Sequence, residues 1–256
     1  MRLTTAVLLI VLAVLLPSWP AHAQAVKGKT APAPAAAPPD WEKTKAQIRE
    51  LTFAGEDQKV IAIVEPIVAA RPRFAEGQAR LGGAHESVAR TLARKDPALA
   101  LKHFELAATH LRHAFELGGG EYPEATIRGL IDLYDYAMPR PETWKATVLD
   151  ALARYPAEPA AHWYGIQLIL REGRVADLDA AFRTARVALP AAEPRLDYAS
   201  LLVGLAEKNV QPAVRSAMVR EALALADEAV KKSPSDRIVR RKADAIKEDA
   251  ARLSPK

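Results

Sequence analysis

The sequence has 256 residues, of which 50% are hydrophobic, 26% charged and 6% aromatic, enough for a sizeable core in one or two domains. It contains no cysteine, which excludes disulfides, thiolate metal sites and a cysteine nucleophile. The formal charge of +5 favours an anionic partner or surface, but nucleic-acid recognition motifs are missing, so we expect no nucleic-acid partner. Long segments of helical periodicity, rich in alanine, predict an all-α fold.

Residues 1–23 have the pattern of a secretion signal. Arg2 supplies a positive start, Ala6–Leu16 is an unbroken apolar run, and Ala21-His22-Ala23 matches a signal-peptidase site. The run is too short to span a bilayer comfortably, so we favour a cleaved signal over a retained anchor and expect no transmembrane segment after cleavage. The predicted location is the periplasm, with secretion beyond it as the alternative.

Residues 24–40 form an Ala/Pro-rich linker. Four prolines and four alanines alternate irregularly between positions 32 and 39, which is too much proline for a helix. We expect an extended spacer, either a disordered mature N-terminus or a tether that holds the folded part away from a membrane or wall.

The remaining residues, 41–256, show helices in five antiparallel pairs followed by a polar capping helix. The predicted pairs are Trp41–Ala54 with Asp57–Ala70, two helices between Arg73 and Leu117, Pro123–Tyr136 with Glu142–Arg154, Ala160–Glu172 with Val175–Leu189, and Pro194–Lys208 with Pro212–Lys232; the cap is Asp236–Leu253.

Start and stop signals support these boundaries. Asp96-Pro97 combines an N-cap with proline at the first helical position, and Gly55 and Gly118–Gly120 are helix stops. Ser233–Asp236 resembles a capping box before the last helix. Pro66 lies inside a predicted helix, which it should kink or divide.

The same small and apolar residues recur at fixed offsets. Phe182, Ala185 and Pro190 have the spacing of Val148, Ala151 and Pro156 and of Ala226, Ala229 and Pro234, and Pro156 and Pro190 are 34 residues apart. Another segment carries Ala100, Phe104 and Ala107, and its preceding helix carries Leu81, Gly82 and His85. This pattern resembles degenerate repeats of the tetratricopeptide family, in an exported bacterial protein. The small Gly82 is expected where the paired helices cross most closely.

The resemblance implies an α-solenoid in which hairpins stack and the first helix of each pair lines a concave groove. Peptides or partner helices bind along that groove in the family. When the family's groove-lining positions are placed on the first helices of this sequence, they give these candidate partner-binding residues: Arg80, Glu86, Arg128, Asp132, Tyr136, Trp163, Tyr164, Gln167, Arg171, Asp197 and Tyr198. Trp163 and Tyr164 are the most suggestive, because aromatic rings and arginine dominate binding hot spots, although Trp163 also suits the core.

No catalytic pattern is present. Gly-x-Ser-x-Gly, a phosphate loop and His-Glu-x-x-His are all missing, so we predict neither an enzyme nor a cofactor. His103, His110 and His113 lie on one predicted helix, and only the last two are close enough in register to share a metal. Two imidazoles need a third ligand, so we predict partly buried flanking residues and no metal site.

These observations favour an interaction scaffold of the cell envelope that binds a peptide or another envelope protein in its groove. The alternative is a small-ligand-binding or transporter-associated component, because the longer second pair resembles helical periplasmic subunits of solute transport systems. That alternative requires an enclosed apolar pocket between His85 and His113.

Overall fold

The computed structural model describes residues 35–209 and 211–253, which contain eleven α-helices and no strand. The predicted signal peptide and residues 24–34 of the predicted linker lie outside this range. The helices are α1 (Trp41–Phe53), α2 (Asp57–Ala70), α3 (Ala75–Leu92), α4 (Pro97–Glu116), α5 (Pro123–Asp132), α6 (Pro141–Arg154), α7 (Pro159–Arg171), α8 (Leu178–Ala188), α9 (Ala192–Lys208), α10 (Pro212–Lys232) and α11 (Arg237–Leu253). The all-α prediction is confirmed. None of these helices is long and apolar enough to cross a bilayer.

Consecutive helices pack against each other as hairpins, and successive hairpins are in contact. Helix α3 packs along α4, and α9 along α10, more extensively than the other helix pairs in the described residues. The first helices of later hairpins also touch in sequence order, α5 with α7, α7 with α9 and α9 with α11. This arrangement confirms the predicted series of stacked hairpins with α11 as the last element.

Tertiary contacts recur at the length of one repeat. Trp41 donates to Glu76, Arg112 to Thr147 and Arg186 to Glu221, and in each case the partner is 35 residues further along the chain. Equivalent positions of successive hairpins therefore face each other, as a repeat of about 34 residues requires. The repeat that the sequence shows through Ala and Pro appears in the fold as regularly spaced side-chain pairs.

Small residues set the distance between the helices of a pair. A Cβ atom built on Gly82 of α3 would lie 2.7 Å from Cγ of Leu111 on α4, closer than packed carbon atoms can approach. The prediction that Gly82 marks a close crossing is confirmed. Fully buried alanines at the expected offsets, including Ala107, Ala151, Ala185 and Ala229, extend the same close packing along the chain.

Several helix ends follow their sequence signals. The Asp96 side chain accepts a hydrogen bond from the Leu99 N–H at 2.9 Å and caps α4. Gly55, Gly118, Gly119 and Gly120 all have positive φ, as glycine stops after α1 and α4 require.

Helix α2 has the predicted bounds, Asp57–Ala70, and is not divided at Pro66; the carbonyl that loses its donor belongs to exposed Ala62, where water can reach it. Two other boundaries differ from the prediction. Asp236, not Ser233, caps α11: its Oδ1 accepts from the N–H groups of Ile238 and Val239, whereas Ser233 terminates α10. Helix α9 begins two residues before Pro194, because a missing N–H is harmless anywhere in a first turn.

Two hairpins contain irregular turns. Helix α5, the first helix of the third hairpin, ends at Asp132, and the chain continues as a π-helical turn, Leu133–Ala137. A 3₁₀ turn, Val175–Asp177, precedes α8, so the predicted single helix Val175–Leu189 is two elements. Both turns interrupt the α-helical period with which side chains repeat on one face. Turns of the π-helical kind frequently occur at functional sites.

The end of the predicted linker is attached to the helical part. The Ala35 N–H donates to the Arg73 carbonyl at 2.8 Å, and the Arg71 guanidinium donates to the Ala36 carbonyl at 3.0 Å. Both arginines belong to the connection between α2 and α3, so the chain enters α1 from a fixed position.

Candidate partner-binding surface

Seven of the predicted groove residues come together on one surface. They lie on α5, the π-helical turn and α7, three elements that we call the α5–α7 face. Its members are Arg128, Asp132, Tyr136, Trp163, Tyr164, Gln167 and Arg171. Helices α5 and α7 are the first helices of neighbouring hairpins and pack directly together, so repeat geometry places these side chains side by side.

At the N-terminal end of α7, an arginine covers an aromatic ring. The Arg128 guanidinium lies 5.4 Å from the centre of the Trp163 ring, within the range of a cation–π contact. Arg128 also pairs with Glu124 one turn earlier at 2.9 Å, which restricts its rotamer. Trp163 is therefore half-buried beneath an oriented positive charge.

One turn beyond Arg128 on α5, the carboxylate of Asp132 is bonded to the buried Tyr164, the residue that follows Trp163. The Tyr164 hydroxyl donates to Oδ1 of Asp132 at 2.7 Å. Burial raises the pKa of Asp132, and the bond from Tyr164 opposes that rise. Tyr164 is fully buried, so its ring supports this surface from beneath and is not available to a partner.

At the C-terminal end of α7, Arg171 is held on two sides. Its two terminal nitrogens donate to the two carboxylate oxygens of Asp135 at 2.8 and 2.6 Å, a bidentate pair. Its guanidinium also lies 4.1 Å from the centre of the Trp144 ring on α6. The bond to Asp135 raises the pKa of Arg171, and the combined contacts fix its side chain before any partner arrives.

The π-helical turn pushes Tyr136 into solvent beside this arginine. The Met138 N–H donates to the Leu133 carbonyl at 2.7 Å, five residues back. Tyr136 lies on this turn and is 69% exposed, so its ring is accessible to a partner. Next to it, Trp144 and Arg171 line an open cleft of about 260 Å³ together with Pro139, Arg140, Glu142 and Lys145.

Two buried nitrogens of the α5–α7 face have no hydrogen-bond partner among the described residues. They are Nε1 of Trp163 and Nε2 of Gln167, one helical turn apart on α7. An unsatisfied buried donor costs about 1–3 kcal/mol, so an acceptor supplied by water or a partner would be stabilising here.

The four other predicted groove residues lie outside the α5–α7 face. Arg80 on α3 lies near Glu76 and over the Tyr122 ring, and Glu86 pairs with Arg90. Asp197 on α9 faces Lys242 of α11 at 3.4 Å. Tyr198 is fully buried, like Tyr164, so a partner cannot contact either ring. The family register placed both tyrosines on the groove, but their rings turn into the core between neighbouring hairpins.

Sequence reasoning missed Asp135 and Trp144. Trp144 lies on a second helix, and the rule that first helices line the groove excluded it. Asp135 follows Asp132 by three residues, so helical spacing was a usable signal for it. The π-helical turn itself had no signal in the sequence.

His103 and His110 are partly buried, as predicted. His113 is exposed, and the ring nearest His110 belongs to His85 of α3, with which it stacks at 5.7 Å between centroids. His103 also contacts His85, through their Nδ1 atoms at 3.0 Å. Among residues 35–209 and 211–253, no three His, Asp or Glu side chains form a group that could hold a metal ion.

Comparison with known proteins gives structural likenesses only. No protein-family model matches the chain, and no curated protein matches it. Among solved structures, a thermophilic TPR protein of Thermus thermophilus is 16% identical, and the match covers 80% of this chain and 97% of that one, with a TM-score of 0.40. The architecture is tetratricopeptide-like. The stacked hairpins and the 35-residue spacing of their contacts show this architecture.

Proposed function

We propose that this protein is a non-enzymatic interaction scaffold of the cell envelope, and that a segment of another envelope protein binds at the α5–α7 face. The binding is non-covalent and needs no cofactor. Tyr136 and Arg171 provide the anchors, and the surrounding charged side chains form a polar rim.

The observation that carries this proposal is the preorganised cluster of aromatic and arginine side chains. Arg171 is already held by Asp135 and Trp144, and Arg128 by Glu124 and Trp163. A side chain that is fixed before binding loses less conformational entropy when a partner arrives. Tyr and Arg are also the residue types that most often dominate interface energy.

The face suits an extended segment with polar backbone groups. The unpaired nitrogens of Trp163 and Gln167 are donors, and a partner carbonyl is the matching acceptor. Both atoms are covered in the free protein, so a partner would reach them only after neighbouring side chains shift. We infer that Tyr136 makes the first contact and that the Trp163 end engages afterwards.

The periplasmic location belongs to the same proposal, with secretion as its alternative. It is supported by the charged start, apolar run and Ala-x-Ala site in residues 1–23. N-terminal sequencing of the protein from a periplasmic fraction should begin at Gln24. A chain that begins at Met1 and sediments with membranes would instead indicate a retained anchor.

Quantitative capture from envelope extract tests the binding face. Tyr136→Ala should lower recovery of the specific partner by at least about tenfold, a typical effect of truncating an interface anchor. Val187→Ala is the matched control, because Val187 on α8 is 83% exposed and lies away from the face. Equal recovery with both variants would contradict the proposal.

The alternative of a small-ligand component has less support. It requires an enclosed apolar pocket between His85 and His113, and the side chains of His85, His103 and His110 pack against each other there.

A further inference from the structure

Three imidazoles meet at the longest helix hairpin of the described chain. His85 lies on α3, and His103 and His110 lie on α4, seven residues apart; we call these three side chains the imidazole cluster. The His85 ring is 5.2 Å from the centre of the His103 ring and 5.7 Å from that of His110, with which it is nearly parallel. His85 thus fills the space between two residues that cannot reach each other along α4.

Hydrogen bonding assigns the proton of His110. Nε2 of Gln78 donates to the Pro72 carbonyl at 2.7 Å, which leaves the Gln78 Oε1 as an acceptor. His110 approaches that oxygen with Nδ1 at 2.7 Å, so Nδ1 carries the proton. In the neutral ring, Nε2 is then the unprotonated nitrogen.

The contact between His85 and His103 also depends on protonation. A hydrogen bond between two Nδ1 atoms at 3.0 Å requires one ring to donate and the other to accept. A proton added to the accepting nitrogen would place two N–H groups against each other. Because His85 is buried, its charged form would also lose hydration.

The charged and titratable groups around the cluster do not compensate for such a charge. Burial and His113 of α4 both lower the pKa of His110, whereas Glu65 of α2 raises it. Asp57 of α2 is already bonded to Ser87 of α3 at 2.5 Å, and Glu86 is paired with Arg90. No carboxylate is hydrogen-bonded to a ring of the cluster in the described residues.

We propose that the α3–α4 hairpin is an acid-sensitive joint, held closed by the packing of three imidazoles and loosened when the buried His85 gains a proton. Side-chain packing between α3 and α4 holds the joint closed. A charge on the imidazole cluster therefore weakens the packing of both helices at once. The joint opens locally, because each hairpin of a repeat protein contacts only its neighbours.

The direction of the pH dependence follows from the folded and unfolded states. Burial and the two neighbouring imidazoles lower the pKa of His85 from 6.5 to about 4. The unfolded chain therefore binds the proton more tightly, and stability falls as pH decreases from about 6.5 toward 4. His85 alone should raise the unfolding equilibrium constant by about 20-fold between pH 7 and pH 5.

Urea denaturation of the full chain at pH 7 and pH 5 measures this effect. The variant His85→Phe keeps an aromatic ring in the same space. Between pH 7 and pH 5, its unfolding equilibrium constant should rise about 20-fold less than that of the wild type. His162→Phe is the control for position: His162 on α7 is also buried with a lowered pKa, so its removal also reduces the pH dependence of stability, but it lies outside the cluster and should leave the opening of α3 and α4 at pH 5 unchanged. Hydrogen exchange, corrected for its intrinsic pH dependence, should show faster opening of α3 and α4 at pH 5 in the wild type.

Two results would overturn the proposal. One is an unchanged pH dependence in His85→Phe together with α3 and α4 amides that remain as protected as those of α9 and α10. The other requires no variant, in case His85→Phe fails to fold. Imidazole NMR signals of the wild type should include one that titrates near pH 4, and titration of every imidazole near pH 6.5 would exclude the joint.

Discussion

Neighbouring glycines in α3 have opposite roles. Gly82 faces α4, where an added Cβ would meet the side chain and backbone of Leu111, whereas nothing lies within 4 Å of a Cβ on exposed Gly83. Helix propensity favours alanine over glycine at both positions, so only packing distinguishes them.

We therefore predict opposite effects for two adjacent substitutions. Gly82→Ala should destabilise the protein by about 1–3 kcal/mol, because the α3–α4 pair must separate to admit the methyl group. Gly83→Ala should stabilise it by about 0.5–1 kcal/mol through helix propensity. Chemical denaturation of both variants measures the difference, and destabilisation of equal size would show that Gly82 is not at a close crossing.

Two buried tyrosines 34 residues apart offer a second comparison. Tyr164 donates to Asp132, whereas the hydroxyl of Tyr198 has no partner among the described residues. Tyr164→Phe should cost about 1–2 kcal/mol, since it leaves the partly buried Asp132 carboxylate without that donor. Tyr198→Phe should be neutral or slightly stabilising, because it removes an unsatisfied polar group. Thermal unfolding of the pair would contradict this account if Tyr198→Phe were the more damaging.

At the scale of elements, helix existence could be predicted from the sequence, but the bonds between helices could not. Proline and glycine mark most boundaries because they act through the local backbone. Ion pairs depend on the fold instead: spacing along α10 predicts Asp227 beside Lys231, but Asp227 pairs with Lys247 of α11 at 2.7 Å. The π-helical turn also escaped prediction, since only tertiary packing distinguishes it from the helix that precedes it.

A buried arginine connects three of the later helices. Arg195 of α9 donates to the carbonyls of Leu189 and Arg186 and to Glu228 of α10. Arg186 of α8 donates to Glu221 at 2.7 and 2.6 Å and to Glu228 at 2.8 Å, so the same carboxylate joins both arginines.

Removing that arginine should destabilise the C-terminal hairpins. We predict that Arg195→Met costs about 2–4 kcal/mol, because two carbonyls and part of Glu228 lose their donors. The exposed Arg220 of α10 provides the control, and Arg220→Met should change stability by no more than about 0.5 kcal/mol. Urea denaturation measures the free energy of unfolding of both variants. A similar decrease in both would mean that the network adds no stability.

At the scale of the whole molecule, the repeat period is the most informative feature of the sequence. It puts Arg128 and Trp163, and likewise Asp132 and Tyr164, on equivalent helices of neighbouring hairpins, because the members of each pair are about one repeat apart. It does not indicate Trp144, which reaches the cleft from a second helix, and it puts the buried rings of Tyr164 and Tyr198 on the surface. Periodicity identifies which helices are neighbours, whereas the direction of each side chain depends on local packing.

Binding at the α5–α7 face, and not at other exposed apolar residues, can be measured by site-specific photocrosslinking in cells. A photoreactive residue replaces Tyr136, Phe53 or Val187 in turn. Phe53 and Val187 are 88% and 83% exposed and lie on other helices, so they report nonspecific contact. We expect one discrete adduct from position 136 and none from positions 53 and 187. The same adduct from all three positions, or adducts only from the two controls, would contradict it.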